Sequence, residues 1–338
     1  MSKITVLVAI FNAEKYLHKC LDSLVDQTLQ DIQIVCINDC STDSSRSIVE
    51  SYASKDNRFV LINLDENKGQ AVARNMGLEV ADGEYITMLD SDDWFESDSL
   101  EKAYFAAKNS DADCVLFRLV QYYEENGRVE EYRNRTDKIC FTGEDAFRLS
   151  LDWSLHGLYI VKADIHKSYP YDTSCRLYSD DNTTRLHYLH SRKVVLSDGC
   201  YCYRKHPDSM TNSCSILRFD YMNANLSMKN TLIAEGVKGY ISSIEEVLDM
   251  YENHRWLNVV DAYWYYWLHK SNFSKEECME IERRIASMLN TIEKKRIAPS
   301  LKWKLGYYPF SSYMIFRFVE NLYFSLRRLD SLRFNSGM

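Results

Sequence analysis

Hydrophobic and polar positions alternate along the first ninety residues with two different periods. Apolar runs rich in β-branched residues predict buried strands at Ile4 to Ile10, Ile32 to Ile37, Arg58 to Asn63 and Tyr85 to Leu89. Between these runs, helical spacing of apolar residues predicts helices at Glu14 to Val25, Asp43 to Ala53 and Gly69 to Ala81. This β-α-β-α-β-α-β series predicts an α/β fold with a mostly parallel sheet flanked by helices.

The segments that follow the predicted strands are rich in Asn, Asp and Ser. Mostly parallel sheets bind their ligands beyond the carboxyl ends of the strands. We therefore expect the chemistry in four loops, which are Phe11 to Ala13, Asn38 to Thr42, Asp65 to Lys68 and Asp90 to Asp93.

The pattern becomes less regular after Trp94 and then purely helical. A helix to Lys108, a strand at Asp113 to Val120 and a polar loop or hairpin at Tyr123 to Lys138 are predicted. From about Leu217 the spacing is helical, with candidate capping boxes at Ser243 to Glu246 and Ser274 to Glu277. We expect a catalytic domain over residues 1–215 and a helical C-terminal region over 216–338.

Composition indicates an ordinary globular protein of 338 residues, 46% hydrophobic and 27% charged. Its ten cysteines are scattered through apolar runs, which favours buried thiols in a reducing cytoplasm over a disulfide framework. Cys200 and Cys202 alternate with tyrosines as in a strand and lack a second pair at zinc-ligand spacing, so we interpret them as structural. The first apolar run is too short for a signal sequence or a membrane span.

Charge is distributed unevenly, and the C-terminal segment is basic. From Lys294 onward there are nine Lys and Arg but two Asp and Glu, on a chain of net charge −8. A basic, aromatic tail on an acidic body favours an anionic surface over nucleic acid as its partner. Ser312 to Phe334 has helical apolar spacing flanked by arginines, so residues 300–338 are predicted to bind an anionic membrane surface. A helix docked on its own domain or across a dimer is the alternative.

The run Leu89 to Trp94 places three carboxylates directly after an apolar strand. Such carboxylates can hold Mg²⁺ or Mn²⁺. By themselves they are more typical of a solvated loop or a helix cap. Just upstream, Asn67 to Gly77 combines small residues with an arginine at the start of a helix, as a close approach to phosphate or ribose requires. Tight helix packing through Gly69, Ala73 and Gly77 explains the same small residues.

Four ordered segments resemble the family 2 glycosyltransferases of the GT-A fold, across Lys3 to about Thr211. They are Thr5 to Leu17, Ile37 to Asp43, Asn67 to Gly77 and Leu89 to Trp94. The resemblance implies a metal-assisted, inverting transfer from a nucleotide-sugar donor, usually a UDP-sugar, with Mn²⁺ or Mg²⁺ as cofactor. A saccharide or lipid-linked saccharide is the implied acceptor, as in cell-surface polysaccharide synthesis.

The resemblance also implies roles at the nucleotide end of the cleft. Asp39 would recognise the base, because a carboxylate accepts from a base N–H, and Phe11 and Asn12 would line the same cleft. Two residues depart from the family pattern. Ala9 stands where proline is usual, and Asn38 stands where a second acidic residue is usual.

Further roles follow from the same resemblance at the diphosphate end. Asp90, with Ser91 beside it, would lie near the ribose, and Asp92 would coordinate the metal. Arg74 would help to frame the nucleotide site. Asp39 as a mere loop cap is the less favoured interpretation.

Two later segments resemble family motifs and complete the predicted site. Asp180 and Asp181 match the Glu-Asp motif, which makes Asp181 the catalytic base and Asp180 a neighbour that raises its pKa. A pair of helix N-caps is the alternative interpretation. Tyr201 to Thr211 is similar to the family's Tyr-Arg segment, in which Arg204 or His206 would reach the diphosphate; a surface loop with incidental basic residues is the alternative.

Other nucleotide-binding classes fit the chain less well. A sugar nucleotidyltransferase requires a glycine-rich loop near the start, and a nicotinamide dehydrogenase requires G-x-G-x-x-G after the first strand; Phe11 to Ala13 stands in that place. A glycoside hydrolase leaves the nucleotide-type loops unexplained. The remaining alternative is a catalytically degenerate nucleotide-sugar binding protein of the same fold. Loss of Asp92 or Asp181 would indicate such a protein, but both residues are present.

Overall fold

The computed structural model describes residues 1–207, 214–304 and 306–335. It divides into two compact units, Met1–Asn212 and Ser213–Met338. The first is a mixed α/β unit and the second is helical, so the predicted fold class is confirmed.

Ten strands in the described part of the first unit form one sheet. They are β1 (Ile4–Ile10), β2 (Ile32–Asn38), β3 (Phe59–Asn63), β4 (Tyr85–Met88), β5 (Trp94–Phe95), β6 (Cys114–Tyr123), β7 (Arg128–Glu131), β8 (Cys140–Thr142), β9 (Tyr159–Lys162) and β10 (Lys193–Lys205).

The strand order β3-β2-β1-β4-β9-β6-β10-β5 places the predicted site. β1 runs parallel to β2 and β4, and β6 runs parallel to β10. β9 is antiparallel to both β4 and β6. The carboxyl ends of β1, β2, β4 and β10 therefore meet at one edge of the sheet, so the loops after β1 and β4 lie at the same edge as His206.

Within residues 1–207, seven helices surround the sheet: α1 (Glu14–Val25), α2 (Ser45–Ala53), α3 (Gln70–Val80), α4 (Ser99–Ser110), α5 (Gly143–Ser150), α6 (Ala163–Ser168) and α7 (Ser179–Leu189). Successive side chains of β1 point to opposite faces of the sheet and belong to two hydrophobic cores. Val6 and Val8 lie in one core and Leu7 lies in the other. A Cβ added to Gly77 would lie 2.8 Å from Ile37 Cδ1, so this glycine lets α3 pack closely on β2. Part of the small-residue pattern in α3 thus serves packing.

The polar excursion after β6 is a hairpin, in which β7 pairs antiparallel with β6. The sequence predicts either a loop or a hairpin here, and the glycine at the turn favours the hairpin. Gly127 has φ +67°, a left-handed conformation that favours glycine.

The second unit contains α8 (Tyr221–Val237), α9 (Ile244–His269), α10 (Lys275–Asn290), α11 (Pro299–Lys302) and α12 (Tyr313–Asn335). The capping box at Ser274 and Glu277 is confirmed. The one predicted at Ser243 is wrong, because its side chain makes no capping hydrogen bond although α9 starts directly after it. A core that includes Trp256, Phe316 and Phe324 holds these helices together.

Helix α12 confirms the helix predicted near the C-terminus. Phe316, Glu320 and Phe324 are buried, whereas Met314, Ile315, Phe318, Leu322 and Leu326 are exposed. One face thus packs within the second unit and the other presents apolar side chains to solvent. The side chains of Arg327, Arg328 and Arg333 lie outside the described part of the chain.

Across the three described ranges, no helix is both long enough and apolar enough to cross a bilayer. All ten cysteines lie in these ranges, and no disulfide joins any of them. The Sγ atoms of Cys200 and Cys202 are 3.8 Å apart inside β10.

Candidate functional site

The turn that follows β4 is tied to β10 through the buried side chain of Asp93. Its Oδ2 accepts from the Tyr201 hydroxyl at 2.7 Å, and its Oδ1 accepts from Arg204 N at 2.7 Å. Asp93 N donates to Asp90 O at 3.0 Å and closes the turn. Both carboxylate oxygens of Asp93 are therefore engaged by protein donors, which gives this residue a positioning role that the sequence did not assign.

Asp90 is held by two side chains from one face of α3. Gln70 Nε2 donates to Asp90 Oδ1 at 2.9 Å, and Arg74 Nη2 donates to the same oxygen. Arg74 is fully buried, and its Nε and Nη1 have no hydrogen-bond partner in the described chain. Burial raises the pKa of Asp90 to about 6, against the opposing charge of Arg74.

Asp92 is the carboxylate of this turn whose side chain faces His206. Its Oδ2 lies 2.9 Å from His206 Nε2, and Tyr16 Oη lies 3.1 Å from His206 Nδ1. His206 is buried, while the Asp92 side chain is 31% exposed. A carboxylate and a ring nitrogen at this separation share either a proton or a cation.

The donor set fits a divalent metal. Carboxylate oxygens of Asp90, Asp92 and Asp93 lie within 4.8 Å of one another. Tyr201 and Arg204 each bond one oxygen of Asp93, and His206 Nε2 lies 2.9 Å from Asp92 Oδ2 beside this cluster. Carboxylate ligands suit Mg²⁺ and Mn²⁺, and an imidazole ligand favours Mn²⁺ over Mg²⁺.

The Arg204 side chain is surrounded by two aromatic rings, a backbone carbonyl and a carboxylate. Its guanidinium carbon lies 5.0 Å from the Tyr16 ring centre and 4.9 Å from that of Trp94. Its Nε donates to Asp92 O at 2.8 Å, and its Nη1 lies 3.5 Å from Glu124 Oε1. Diphosphate binding by Arg204 and His206 stays a prediction. Asp208 to Thr211 of the same motif lie outside the described residues.

Asp39 lies buried at the end of β2 and organises the loop that precedes α3. Its Oδ1 accepts from Lys68 N at 2.7 Å and its Oδ2 from Gly69 N at 2.8 Å. Gly69 has φ +88°, a conformation that favours glycine. Because Gly69 directly precedes Gln70, which reaches Asp90, the base-binding and carboxylate ends of the predicted site are connected through α3.

The loop after β1 interlocks with the loop after β2. Asn12 has φ +48°, and its Oδ1 accepts from Thr42 N at 2.8 Å. Asn38 donates to Asn63 Oδ1 at 2.9 Å and accepts from Ser41 N at 3.1 Å. Asn38 thus uses both an amide donor and an acceptor, which a carboxylate in its place cannot do.

The remaining predicted cleft residues are accessible. Phe11 is exposed, and Ser91 is half-buried within the turn after β4. The nucleotide contacts predicted for Phe11, Asn12, Asp39 and Ser91 stay predictions.

The first turn of α7 carries Asp180 and Asp181 to the same region. Burial raises the pKa of Asp181 to about 7; the charge of Asp180 adds to the rise and that of Arg185 opposes it. The charge of Asp180 also acts on Arg74 and on Asp90. Asp180, the neighbour of the predicted base, therefore lies within electrostatic reach of Arg74 and Asp90.

Two functional contributors were missed from the sequence. The sequence pattern treats Tyr201 as one residue of an alternating strand and assigns no role to Gln70. The spacing of Gln70 and Arg74 at i and i+4 was a usable signal, since such residues share one helix face. Nothing local to Tyr201 indicates its partner 108 residues away.

Known proteins match both the sequence and the fold. The family model for glycosyl transferase family 2 matches residues 5–166. Glycosyltransferase GlyG of Streptococcus pneumoniae serotype 4 is 31% identical over 218 residues, which is 61% of this chain and 72% of GlyG. The poly(ribitol-phosphate) beta-glucosyltransferase of Bacillus spizizenii is 39% identical over 120 residues, 35% of this chain and 19% of that protein.

A solved structure extends the likeness in fold. S. aureus TarS 1-349 in complex with UDP-GlcNAc superposes with a TM-score of 0.72 at 20% identity, covering 96% of this chain and 92% of that one. At this identity the likeness is one of fold. Together with the relatives above, it confirms the resemblance inferred from the four motifs: the chain belongs to glycosyl transferase family 2 and is a glycosyltransferase.

Proposed function

We propose that this glycosyltransferase moves a sugar from a UDP-sugar to a saccharide or lipid-linked saccharide acceptor with inversion at the anomeric carbon. The observation that carries the proposal is the convergence of Arg74, Asp90 and the Asp180-Asp181 pair at one edge of the sheet. This convergence supports a site in which the donor-binding loops and a candidate base act together.

The nucleotide is assigned to the cleft formed by the loops after β1, β2 and β4. Asp39 has carboxylate lone pairs left after its two backbone contacts, because two oxygens offer about four acceptor sites. Arg74 supplies a buried positive charge next to Asp90, where the ribose and diphosphate are expected. The TarS complexes with UDP and UDP-GlcNAc support UDP as the nucleotide, through shared fold.

Asp92, with Asp90 and His206, would hold the divalent metal, either Mn²⁺ or Mg²⁺. When bound, such an ion supplies positive charge that offsets the charge developing on the diphosphate leaving group. Tyr16 orients the His206 ring through Nδ1, and Tyr201 fixes the turn through Asp93. These contacts prepare the ligand set before any donor arrives.

Asp181 is the proposed catalytic base. In a single displacement, the acceptor hydroxyl loses its proton to a carboxylate as its oxygen attacks the anomeric carbon opposite the diphosphate. A carboxyl group whose pKa is about 7 retains enough basicity for this step near neutral pH.

The acceptor is placed in cell-surface polysaccharide synthesis on the strength of relatives. The poly(ribitol-phosphate) beta-glucosyltransferase supports a surface polymer as acceptor, by its name. The matched stretch covers a limited share of that protein, so donor sugar and acceptor both belong to the proposal.

Residues 300–338 are proposed to hold the enzyme on the inner face of an anionic membrane. Met314, Phe318 and Leu322 lie one helical turn apart on α12 and are 69%, 71% and 55% exposed. Three arginines follow at Arg327, Arg328 and Arg333. An exposed apolar stripe next to basic residues is typical of interfacial helices on anionic lipid.

The second candidate function is nucleotide-sugar binding without turnover. The two carboxylates on which turnover would depend, Asp92 and Asp181, are both present, and this favours turnover. Calorimetric titration with UDP, GDP and CDP, with and without Mn²⁺, tests the proposal on wild type and Asp92→Ala. We expect Mn²⁺-dependent UDP binding that Asp92→Ala weakens; absence of binding to any nucleotide would refute the proposal.

A further inference from the structure

The loop between α5 and β9 places an aromatic side chain against Arg185, which lies four residues after the proposed base on α7. We propose that Trp153 forms a stacking surface for the acceptor, against which the C–H face of a sugar ring packs while its hydroxyl points to Asp181. This inference rests on the proposed function, since it takes Asp181 as the base. Trp153 would then be a binding residue on the acceptor side of the cleft.

Trp153 adopts an unfavourable backbone conformation that its surroundings impose. Its φ is +59°, in the left-handed region that is costly for a bulky residue. The Tyr132 hydroxyl donates to Trp153 O at 2.8 Å, and Arg135 N donates to Ser154 O at 2.9 Å. The segment after β7 thus holds the backbone of this loop in place.

The same loop is packed on the helix that carries Asp181. A Cβ added to Gly157 would lie 2.9 Å from Thr184 Oγ1, so the loop approaches α7 as closely as a glycine allows. The guanidinium carbon of Arg185 lies 5.0 Å from the centre of the Trp153 ring. Loop and helix therefore form one packed assembly.

Arg185 connects the indole ring to the base. It is buried and lies four residues after Asp181, so the two side chains share one face of α7. Its charge acts on the Asp181 carboxyl group. Trp153 is consequently linked to the proposed base through Arg185, whose guanidinium contacts the indole ring.

The chemistry of the ring suits a sugar. One face of the indole is covered by the Arg185 guanidinium, and the side chain is nevertheless only half-buried. A rigid aromatic surface with two rotatable bonds offers large apolar contact at small entropic cost. The hydroxyl that attacks must reach Asp181, so a sugar that stacks on an indole ring in contact with Arg185, on the same face of α7, is taken to be the acceptor. A second aromatic residue in the left-handed region, Tyr178 with φ +66°, opens α7 on the same side.

Saturation-transfer-difference NMR on the full chain with UDP and Mn²⁺ tests the inference. The probes are methyl β-D-glucopyranoside, methyl β-D-galactopyranoside and methyl N-acetyl-β-D-glucosaminide. We expect saturation of the ring C–H protons by wild type with at least one glycoside, a loss of about tenfold or more in Trp153→Ala, and retention in Trp153→Phe, since a tenfold change corresponds to about 1.4 kcal/mol. Trp303→Ala removes a tryptophan that is 80% exposed in the second unit and serves as matched control with no loss.

UDP calorimetry on the same variants separates the possible results. Unchanged UDP affinity in Trp153→Ala shows that the fold and the donor site are intact, and absence of UDP binding by wild type would count against the proposed function instead. Equal saturation transfer in wild type and Trp153→Ala, or none with any glycoside in wild type that binds UDP, would overturn the acceptor role of Trp153. If Trp153→Ala fails to fold, loss of saturation in a UDP-binding Trp153→Leu decides the same question.

Discussion

The hydroxyl of Tyr201 lies between two carboxylate residues of the turn after β4: it donates to Asp93 Oδ2 at 2.7 Å and accepts from Asp90 N at 3.2 Å. Tyr201 is fully buried in β10. Asp92 lies between these two residues in sequence. The geometry of the proposed metal site therefore depends on β10, a strand that is distant from this turn in sequence.

Tyr201→Phe should weaken both the fold and the metal site. It leaves the buried Asp93 Oδ2 without its donor, which costs about 1–3 kcal/mol of the free energy of unfolding. We also expect a lower affinity for Mn²⁺, measured by electron paramagnetic resonance of the free ion. Tyr123→Phe is the control, because that hydroxyl bonds Glu130 at 2.9 Å on the surface. Equal Mn²⁺ affinity in Tyr201→Phe and wild type would contradict the positioning role.

Glu320 predicts a pH-dependent stability of the second unit. Both of its carboxylate oxygens are buried without a hydrogen-bond partner in the described chain, and burial raises its pKa to about 8. In the unfolded chain Glu ionises near pH about 4.3. Wild type therefore loses stability as pH rises from the unfolded towards the folded pKa, because folding then requires protonation of Glu320.

Glu320→Gln should remove that loss. We expect the variant to unfold at a higher temperature than wild type at pH 8.5 and to differ little at the lowest pH tolerated. Glu282→Gln is the control, because Glu282 accepts from Arg317 at 2.7 Å and its replacement should destabilise. A melting-temperature difference independent of pH would show that Glu320 is not titrating in this range.

If α12 binds the membrane, charged substitutions on its exposed face should abolish that binding. Phe318→Glu with Leu322→Glu should abolish flotation with vesicles of phosphatidylglycerol, because both side chains lie on the exposed face. Val237→Glu with Met250→Glu changes exposed apolar residues elsewhere in the unit and serves as control. Flotation that persists after deletion of residues 300–338 would refute the role of this segment.

The rate of transfer should depend on pH through Asp181. A base acts in its ionised form, and its pKa is raised to about 7, so we expect kcat to rise with pH and to level off above neutrality. The measurement is UDP release at saturating donor and acceptor from pH 5.5 to 9. A flat profile over this range would contradict the assignment of that pKa to the base.

Much of the first unit could be predicted from periodicity because its strands and helices have strong local patterns. β1 and α1 have the predicted bounds, since a β-branched run and an amphipathic repeat leave little ambiguity. The Ser243 capping box failed because a matching pair of residue types does not fix the backbone at the helix start. The conformation of Ser243, φ −133° and ψ 67°, leaves its side chain without the expected amide.

The network around the carboxylates could not be predicted, because it depends on contacts between residues far apart in sequence. Local sequence placed Asp90, Asp92 and Asp93 after a strand, but Asp93 differs from the others through Tyr201 and Arg204 on β10. The raised pKa of Asp181 was attributed to Asp180, whereas burial by the fold is the larger cause. Such distinctions depend on which side chains the tertiary structure buries.

The most direct test of the central claim compares donor binding with transfer in Asp181→Asn. Wild type and variant are titrated calorimetrically with UDP in the presence of Mn²⁺, and the release of UDP from a panel of UDP-sugars is followed with a saccharide acceptor. The proposal predicts equal UDP affinity and a loss of transfer of about 10²-fold or more in the variant. Near-normal transfer by Asp181→Asn would contradict it.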